Sequence, residues 1–504
     1  MRRTALTLVV AFLVVVPVTA AAAVDATRPS GPTDSVAGND AAQEASNPCV
    51  GTMRTAPGRP TLYSVQGIYR GNKTDNMVVG ARSNGTIVGV HDDRAAGRWW
   101  TYDIDRLPSG NILTAGTKSR HTLIEEIDPV TGEHVSERPF ENVKDAHDVD
   151  LINGDELLMN DKPNDGDGDR VLVYNLTRGE VTWSYYFRNH TDVWPRDGGD
   201  GVEDDWTHNN DVEQIREGVV MISVRNFDQV VAVDRSTKEV EWILGEDDNT
   251  SILHRQHNPD YLETEDGEPT VLVADSRNDR VVEYTREDGS WNRTWVLRGD
   301  LDEPRDADRL PNGNTLVADR HSHRILEVTP DGEVVWEVYA PYQPYDVERL
   351  GTGDESSGPT MLDADATGAV EVSGSADPSA SELRACYNYL RNHSSTRLVP
   401  ADAPPPPDPG TDSGTGTDSG GSDGEDGDAG NGSSGDGGDG ESGDGSSGDG
   451  GDTTDGGATD DGDDGGLLGT PTDSSSGFGP GFGVATAALA VLGVFAALVV
   501  RRRA

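Results

Sequence analysis

A four-residue unit recurs six times between residues 102 and 348, and this repetition constrains the fold more than any other feature of the chain. The units are spaced 40 to 61 residues apart, and five of the six end in Asp. Each is followed by a turn signal and by short apolar runs. Four short strands in a repeat of about 45 residues are typical of a β-propeller blade. The units begin at Tyr102, His147, His208, His257, Arg305 and Tyr345.

The strands inside the repeat can be placed from the same pattern. Second strands are predicted at Val271–Ala274 and Leu316–Ala318, and third strands at Val281–Tyr284 and Ile325–Val328. A tight Asp-Gly turn then leads to a fourth strand that carries a Trp in four repeats. These tryptophans are Trp183, Trp242, Trp295 and Trp336.

Ring closure is predicted from the short last repeat. Strands near Met77–Ala81 and Thr86–His91 precede the first unit, so we expect N-terminal strands to complete the last blade. The prediction is therefore an all-β, six-bladed β-propeller over residues 49–395. The cysteines Cys49 and Cys386 bracket it and would join its ends as a disulfide outside the cell; two free buried thiols are the alternative.

The two termini predict export and anchoring. Residues 1–23 have a charged start, an apolar run and small residues, as in a signal peptide, and residues 24–48 form a linker. Residues 396–479 are rich in Gly, Ser and Asp and are predicted to be a disordered acidic stalk. Residues 480–504 read Pro-Gly-Phe, an apolar helix and three arginines, which resembles the archaeal PGF-type sorting signal. That signal implies a sorting transpeptidase as partner; a plain transmembrane anchor is the alternative.

The charge of the chain argues against a nucleic-acid partner. The formal net charge is −49, from 41 Lys and Arg against 90 Asp and Glu, and such a surface repels phosphate backbones. An Asp-rich, Lys-poor composition resembles proteins of halophilic archaea, in which high salt screens self-repulsion; an ordinary acidic secreted protein is the alternative. Glycosylation sequons permit a glycoprotein, among them those at Asn72, Asn84, Asn175, Asn189, Asn249, Asn292 and Asn392.

The first residue of each unit is the candidate for chemistry. Innermost strands line the channel of a propeller, so equivalent positions converge, and here they hold three histidines and Arg305. Converging imidazoles and a guanidinium make an anion site with acid/base groups in reach. We expect Arg305, Tyr102 and Tyr345 to contact the substrate there. The recurrent Asp at the fourth position is predicted to bind backbone amides.

A second position supports this site. After the second strand, three blades carry Asp161, Asp275 or Asp319, whereas the blade of His208 carries Arg225 within one residue of that place. A planar guanidinium suits an anion with several oxygens, such as sulfate.

The segments around these residues resemble arylsulfate sulfotransferases. They are Asp205-Trp-Thr-His208-Asn-Asn210, Ser223-Val-Arg225-Asn226, Val240-Glu-Trp-Ile-Leu-Gly245 and Arg255-Gln-His257-Asn258. The resemblance covers roughly residues 61–363. It implies a six-bladed propeller that moves a sulfuryl group from an aryl sulfate to a phenol through a sulfohistidine, without a metal or nucleotide cofactor.

The resemblance also implies roles for individual residues. His257 would be the nucleophile. His208, Asn210 and Arg225 would hold the sulfuryl oxygens, and His147 would act as acid and base at the phenol.

Other readings of the same residues stay open at this point. His147, His208 and His257 could bind zinc in a lyase propeller, or the propeller could be a binding module without activity. The Asp/Gly segment that starts at Asn164 resembles a calcium loop, although a solvated acidic loop is the simpler interpretation.

Overall fold

Six sheets of at least four strands follow one another in the computed structural model and form a six-bladed β-propeller. The structure describes residues 47–55, 58–92, 98–118, 121–163, 168–352 and 355–400. The predicted signal peptide, nearly all of the stalk and the C-terminal sorting signal lie outside these residues, and so does most of the calcium-like loop. Among the described residues, no helix is both long and apolar enough to cross a membrane.

The blades are numbered here in the order of the six repeated units, and strands are given from the axis outwards. Blade 1 comprises Trp99–Arg106, Ile112–Lys118, His121–Asp128 and Glu133–Phe140. Blade 2 comprises Val149–Ile152, Glu156–Asp161, Arg170–Asn175 and Glu180–Tyr186. Blade 3 comprises Asn209–Arg216, Val219–Val224, Gln229–Asp234 and Val240–Gly245.

The remaining blades carry additional or non-contiguous strands. Blade 4 comprises His257–Glu263, Pro269–Asp275, Arg280–Glu287, Ser290–Arg298 and a parallel outer strand, Gly368–Glu371. Blade 5 comprises Pro304–Arg309, Thr315–Asp319, Arg324–Val328, Val334–Tyr339 and an antiparallel outer strand, Val50–Met53. Blade 6 comprises Pro344–Arg349, Thr61–Val65, Met77–Ala81 and Ile87–Asp92. A small hairpin, Ile68–Tyr69 with Asn72–Lys73, and a helix, Ala380–Arg391, lie outside the blades.

Burial explains which strands are purely apolar. Both faces of a middle strand pack against neighbouring blades, so Val219–Val224 is buried at every position. The outermost strand Glu133–Phe140 is exposed at every position but its last. Hydrophobic clusters fill the interfaces between neighbouring blades, for example Leu158 and Val173 of blade 2 against Val220 and Ile222 of blade 3. The sheets are therefore held together mainly by contacts across blades.

The recurrent Trp of the fourth strand is one such contact. The indole N–H groups of Trp183, Trp295 and Trp336 donate to backbone carbonyls of the next blade, at 2.7, 3.3 and 3.0 Å. A large apolar ring with one donor suits a position that must both fill an interface and satisfy a carbonyl. This geometry explains why the residue recurs in the sequence.

Ring closure joins the two ends of the folded domain, as the sequence predicts. The inner strand Pro344–Arg349 pairs with Thr61–Val65, so blade 6 combines C-terminal and N-terminal strands. Cys49 precedes the N-terminal strand on blade 5 and forms a disulfide with Cys386 of the helix Ala380–Arg391. Both cysteines are completely buried beside Leu390. The predicted disulfide is therefore confirmed.

Replacing both cysteines by serine should lower the free energy of unfolding by about 2–5 kcal/mol, the usual contribution of a native disulfide. The bridge spans 337 residues, so its loss frees a long loop in the unfolded chain. Thermal unfolding of the double variant against the wild type, without reductant, measures the effect. Equal melting temperatures would show that closure of the ring does not depend on the bridge.

The folded domain extends past the predicted start of the stalk at residue 396. Leu398 and Val399 are buried against Val78 of blade 6 and Ile127 of blade 1. Their backbone N–H groups both donate to the carbonyl of Pro129. Two apolar residues in an otherwise polar stretch were thus sufficient to dock the chain.

Candidate active site

The side chains that begin the six repeated units meet around the propeller axis. The ring centroid of His147 lies 4.0 Å from that of Tyr102 and 5.3 Å from that of His208. Tyr345 lies 5.9 Å from both His147 and His257. All six residues, Arg305 among them, are at most 5% exposed. Residues far apart in the sequence therefore share one buried cluster, while their chemical roles stay predictions.

His208 is oriented by a carboxylate that precedes it in the chain. Its Nδ1 contacts the Oδ2 of Asp205. Burial raises the pKa of Asp205, but the contact with His208 and the charges of Lys162 and Arg225 outweigh burial and hold that pKa well below its usual value. An ionised Asp205 accepts a hydrogen bond from the Nδ1–H of His208 and so fixes the orientation of the ring.

A buried lysine links two of the imidazoles. The Nζ of Lys162 lies 2.8 Å from the Nε2 of His147 and 3.1 Å from the Nε2 of His208, and 3.4 Å from Asp145. An ammonium group only donates, so an Nε2 atom that pairs with it is the acceptor. Lys162 follows the second strand of blade 2 and was not among the residues predicted from the sequence.

His257 is fixed from the opposite side of its ring. Its Nδ1 lies 3.1 Å from the carbonyl of Arg255 and 2.9 Å from the Oγ of Ser276, which itself donates to the carbonyl of Pro304. A carbonyl only accepts, so the contact with Arg255 favours a proton on Nδ1 and a lone pair on Nε2. The guanidinium of Arg305 contacts both ring nitrogens, Nε2 and, at 2.8 Å, Nδ1. A lone pair on Nε2 is what a nucleophilic His257 requires.

Arg305 is paired with an acid that several cations share. Its Nη2 lies 3.3 Å from Glu303, which also contacts Arg320 and His321 at 3.1 and 3.0 Å. Burial raises the pKa of Glu303, but the charges of Arg305 and Arg320 outweigh burial and lower it to about 2. The carboxylate is therefore ionised and holds Arg305 against His257.

Arg225 occupies the place where other blades carry a structural ion pair. In blades 2, 4 and 5, an Asp ends the second strand and binds the Arg that begins the third, as in Asp275 with Arg280 at 2.6 Å. Blade 3 has Val224 opposite Gln229 at that register. Arg225 follows, 4.0 Å from Asp205 and 3.2 Å from the Oδ1 of Asn226. The guanidinium is thus placed next to the acid that orients His208.

Asn210 is completely buried. Its Nδ2 donates to the carbonyl of Gln256 at 3.0 Å, so it joins blade 3 to the residue before His257. Its Oδ1 is buried and makes no hydrogen bond within the described residues. The structure places Asn210 at the blade interface, and its contact with a substrate stays a prediction.

The sequence predicts that the fourth Asp of each unit binds backbone amides, and in four blades the structure shows such a bond at the second residue of the unit. The second residue does this: Asp103, Asp148, Asp306 and Asp346 accept a backbone N–H from the next blade at 3.0, 2.5, 2.9 and 2.7 Å. Asp260 is a fourth-position residue that does accept an amide, from Ser356 at 3.0 Å.

Aromatic side chains form one wall of the cluster. Tyr102 and Tyr345 pack with Trp100 and Ile68, and all four are buried. Aromatic walls bind flat apolar rings, and edge contacts between rings add to the area they bury. An aryl group therefore has a suitable surface beside His147.

The cluster favours binding of an anion over binding of a zinc ion by the three histidines. The Nε2 atoms of His147 and His208 bind the ammonium of Lys162, and that of His257 contacts Arg305. A metal would have to displace two positive charges and then lie close to them, which Coulomb repulsion disfavours. An anionic group with several oxygens is attracted to the same place.

The residues that the sequence did not reveal share one structural position. Lys162, Ser276 and Arg320 directly follow the second strand of blades 2, 4 and 5, as Arg225 does in blade 3. Asp161, Asp275 and Asp319 mark the ends of these second strands in the sequence. The residue directly after each of them is the one that belongs to the site. Asp145 and Asp205 lie on irregular segments that no repeat pattern marks.

The fold and the site together define a six-bladed propeller with a buried, cation-lined histidine cluster. Residues 58–294 match the family described as arylsulfotransferase (ASST). The matched segment runs from blade 6 into blade 4 and contains His147, His208, Arg225 and His257. Arg305 and Tyr345 lie beyond it. No curated protein matches the chain.

Solved structures resemble the chain only distantly. A protein of unknown function from Bacteroides caccae is 11% identical over 64% of this chain and 99% of that one, with a TM-score of 0.40. The periplasmic gluconolactonase of Pseudomonas aeruginosa is 12% identical over 58% and 99%, with a TM-score of 0.40. A catalytically inactive virginiamycin B lyase from Staphylococcus aureus is 8% identical over 57% and 87%, with a TM-score of 0.35.

Proposed function

We propose that this protein is an aryl sulfotransferase that moves a sulfuryl group from an aryl sulfate to a phenol through a sulfohistidine at His257. The observation that carries the proposal is the arrangement of the three imidazoles: each Nε2 contacts Lys162 or Arg305 in one buried cluster. The match of residues 58–294 to the arylsulfotransferase family supports the same activity.

In the first half-reaction, the Nε2 of His257 attacks sulfur while the bond from sulfur to the aryl oxygen breaks. The phenolate leaves beside His147 and takes a proton that Lys162 supplies through the imidazole. Arg305 and Arg225 then bind sulfuryl oxygens, because guanidinium groups match anions with several oxygens. A covalent intermediate divides one difficult transfer into two easier ones.

In the second half-reaction, an acceptor phenol occupies the aromatic wall of Tyr102 and Tyr345. His147 takes the phenol proton, the phenol oxygen attacks sulfur, and the bond from sulfur to His257 breaks. The same groups act in reverse, which restores the starting protonation of the site. The predicted signal peptide and C-terminal sorting signal would place this reaction on the outer face of the cell.

The test is turnover of 4-nitrophenyl sulfate at high salt, with and without a phenol acceptor. We expect nitrophenol release to rise with the acceptor, and the protein to gain the mass of one sulfuryl group when the acceptor is omitted. Correctly folded protein that shows neither signal would contradict the proposal and would favour a binding module without activity.

A further inference from the structure

A second ring of polar side chains lines the central channel, and the proposed reaction does not use it. Each blade contributes one residue to this ring, five of them aspartates and one an asparagine. The ring borders a small cavity of about 20 Å³ that is partly open to solvent. Its members are Asp103, Asp148, Asp211, Asn258, Asp306 and Asp346.

The ring concentrates negative charge in a buried place. Asp105, Asp308 and Glu355 line the same cavity. Burial, and then repulsion from neighbouring aspartates, raise the pKa of Asp211 and of Asp306 well above the usual value. Carboxylates this close destabilise the folded state unless a cation or protons offset their charge.

Two features point to a cation. Carboxylate oxygens of one ring member, Asp306, and of the adjacent Asp308 and Asp260 all lie within 4.8 Å of one another, a spacing that one ion can bridge. Independently, the Asp211 side chain is 7% exposed, and its Oδ1 makes no hydrogen bond within the described residues. The same holds for the Oδ1 of Asn258, which lines the cavity from the next blade. A buried oxygen without a donor is unfavourable in protein surroundings, and a hard cation would satisfy it.

We propose that the channel binds one Ca²⁺ ion through this ring, and that the ion stabilises closure of the propeller. Ca²⁺ accepts six to eight oxygen ligands in flexible geometry, which suits carboxylates and an amide that come from several blades. Mg²⁺ demands a near-ideal octahedron and gives up water reluctantly, so it fits the ring less well.

A structural effect follows from the bonds that these aspartates already make. Asp103, Asp148, Asp306 and Asp346 each accept a backbone N–H from the next blade. An ion that binds the same carboxylates from the channel would hold successive blades at one point. The Ca²⁺ site would therefore contribute to stability, whereas the histidine cluster performs the chemistry.

The test is calorimetric titration and thermal unfolding of the full chain with Ca²⁺, after chelator treatment and at a fixed high NaCl concentration. We expect wild type to gain roughly 5 °C in melting temperature at saturating Ca²⁺. Asp211→Asn should bind Ca²⁺ about tenfold more weakly. It should also melt higher than wild type without Ca²⁺, because one repelling charge is gone while no hydrogen bond to Oδ1 is lost.

Asp331→Asn is the matched control, since Asp331 lies in an exposed turn of blade 5. Its replacement should leave both the Ca²⁺ affinity and the melting temperature unchanged. Asp308→Asn removes a second negative charge from the lining of the cavity. The acidic C-terminal segment is the same in every variant, so weak binding there cancels in the comparison. The proposal is overturned if Ca²⁺ leaves the melting temperature of wild type unchanged. It is also overturned if Asp211→Asn and Asp308→Asn both bind Ca²⁺ as tightly as wild type does.

Discussion

Replacing His257 by glutamine should reduce sulfuryl transfer at least about a thousandfold, because the covalent route needs the Nε2 lone pair that glutamine lacks. The amide retains much of the size and polarity of imidazole, so the packing against Ser276 and Arg305 should survive. Two measurements check the result. They are nitrophenol release from 4-nitrophenyl sulfate, and the mass of the protein after incubation with the donor alone.

His254→Gln is the matched control for this experiment. His254 lies three residues earlier, outside the ring, and burial followed by the charges of Arg255 and Arg277 lowers its pKa. It therefore resembles His257 in being a neutral imidazole near arginines, but it lacks the contact with Arg305. Activity should persist in His254→Gln with a normal sulfuryl adduct. An adduct that survives in His257→Gln and disappears in His254→Gln would move the nucleophile to His254.

The fold could be predicted because the same local sequence features recur in successive blades. Apolar middle strands, an Asp-Gly turn and a Trp in the fourth strand recur, and each feature has one local cause. Asp288 and Gly289, for example, both adopt positive φ in the turn before the Trp295 strand. Ring closure was predictable too, because the last repeat lacked strands that the N-terminus had in excess. The docking of Leu398 was not, since two apolar residues give no period.

The site could be predicted only in part, for a related reason. Repetition identifies positions that are equivalent in every blade, and so it identified the ring of His147, His208 and His257. Lys162 and Ser276 are different residues at an equivalent position, and no shared residue type marks them. Asp205 acts through a loop whose course depends on tertiary contacts. The sequence therefore predicts which side chains converge, but not which partners fix their tautomers.

The partners matter because the site has to attract an anion inside a strongly acidic protein. Each cation of the cluster has a carboxylate within 4.0 Å: Lys162 has Asp145, Arg225 has Asp205, and Arg305 has Glu303. These pairs keep the cations charged in a buried place and hold them still. Long-range repulsion of the substrate by the net charge of −49 is screened at high salt. Recognition of sulfate must then come from the fixed donors at short range.

Among these donors, Lys162 is the one whose loss should show most clearly that the reaction depends on them. Lys162→Met should lower kcat about a hundredfold, because it removes the ammonium that binds both Nε2 atoms and supplies the leaving-group proton. The methionine side chain fills a similar volume, so the blades should pack as before. Lys162→Arg should recover part of the rate, since it restores the charge in a bulkier form.

Lys238→Met is the control that separates this local role from a general loss of positive charge. Lys238 donates to the carbonyl of Ser184 on the outer strands, away from the imidazoles, and its replacement should leave kcat unchanged. Loss of a cation that mainly stabilises the transition state lowers kcat, whereas loss of one that only binds the anionic donor substrate raises KM. If Lys162→Met raised KM and left kcat intact, the lysine would bind the donor without assisting departure of the phenolate. Proton delivery to the leaving group would then have to come from elsewhere in the cluster.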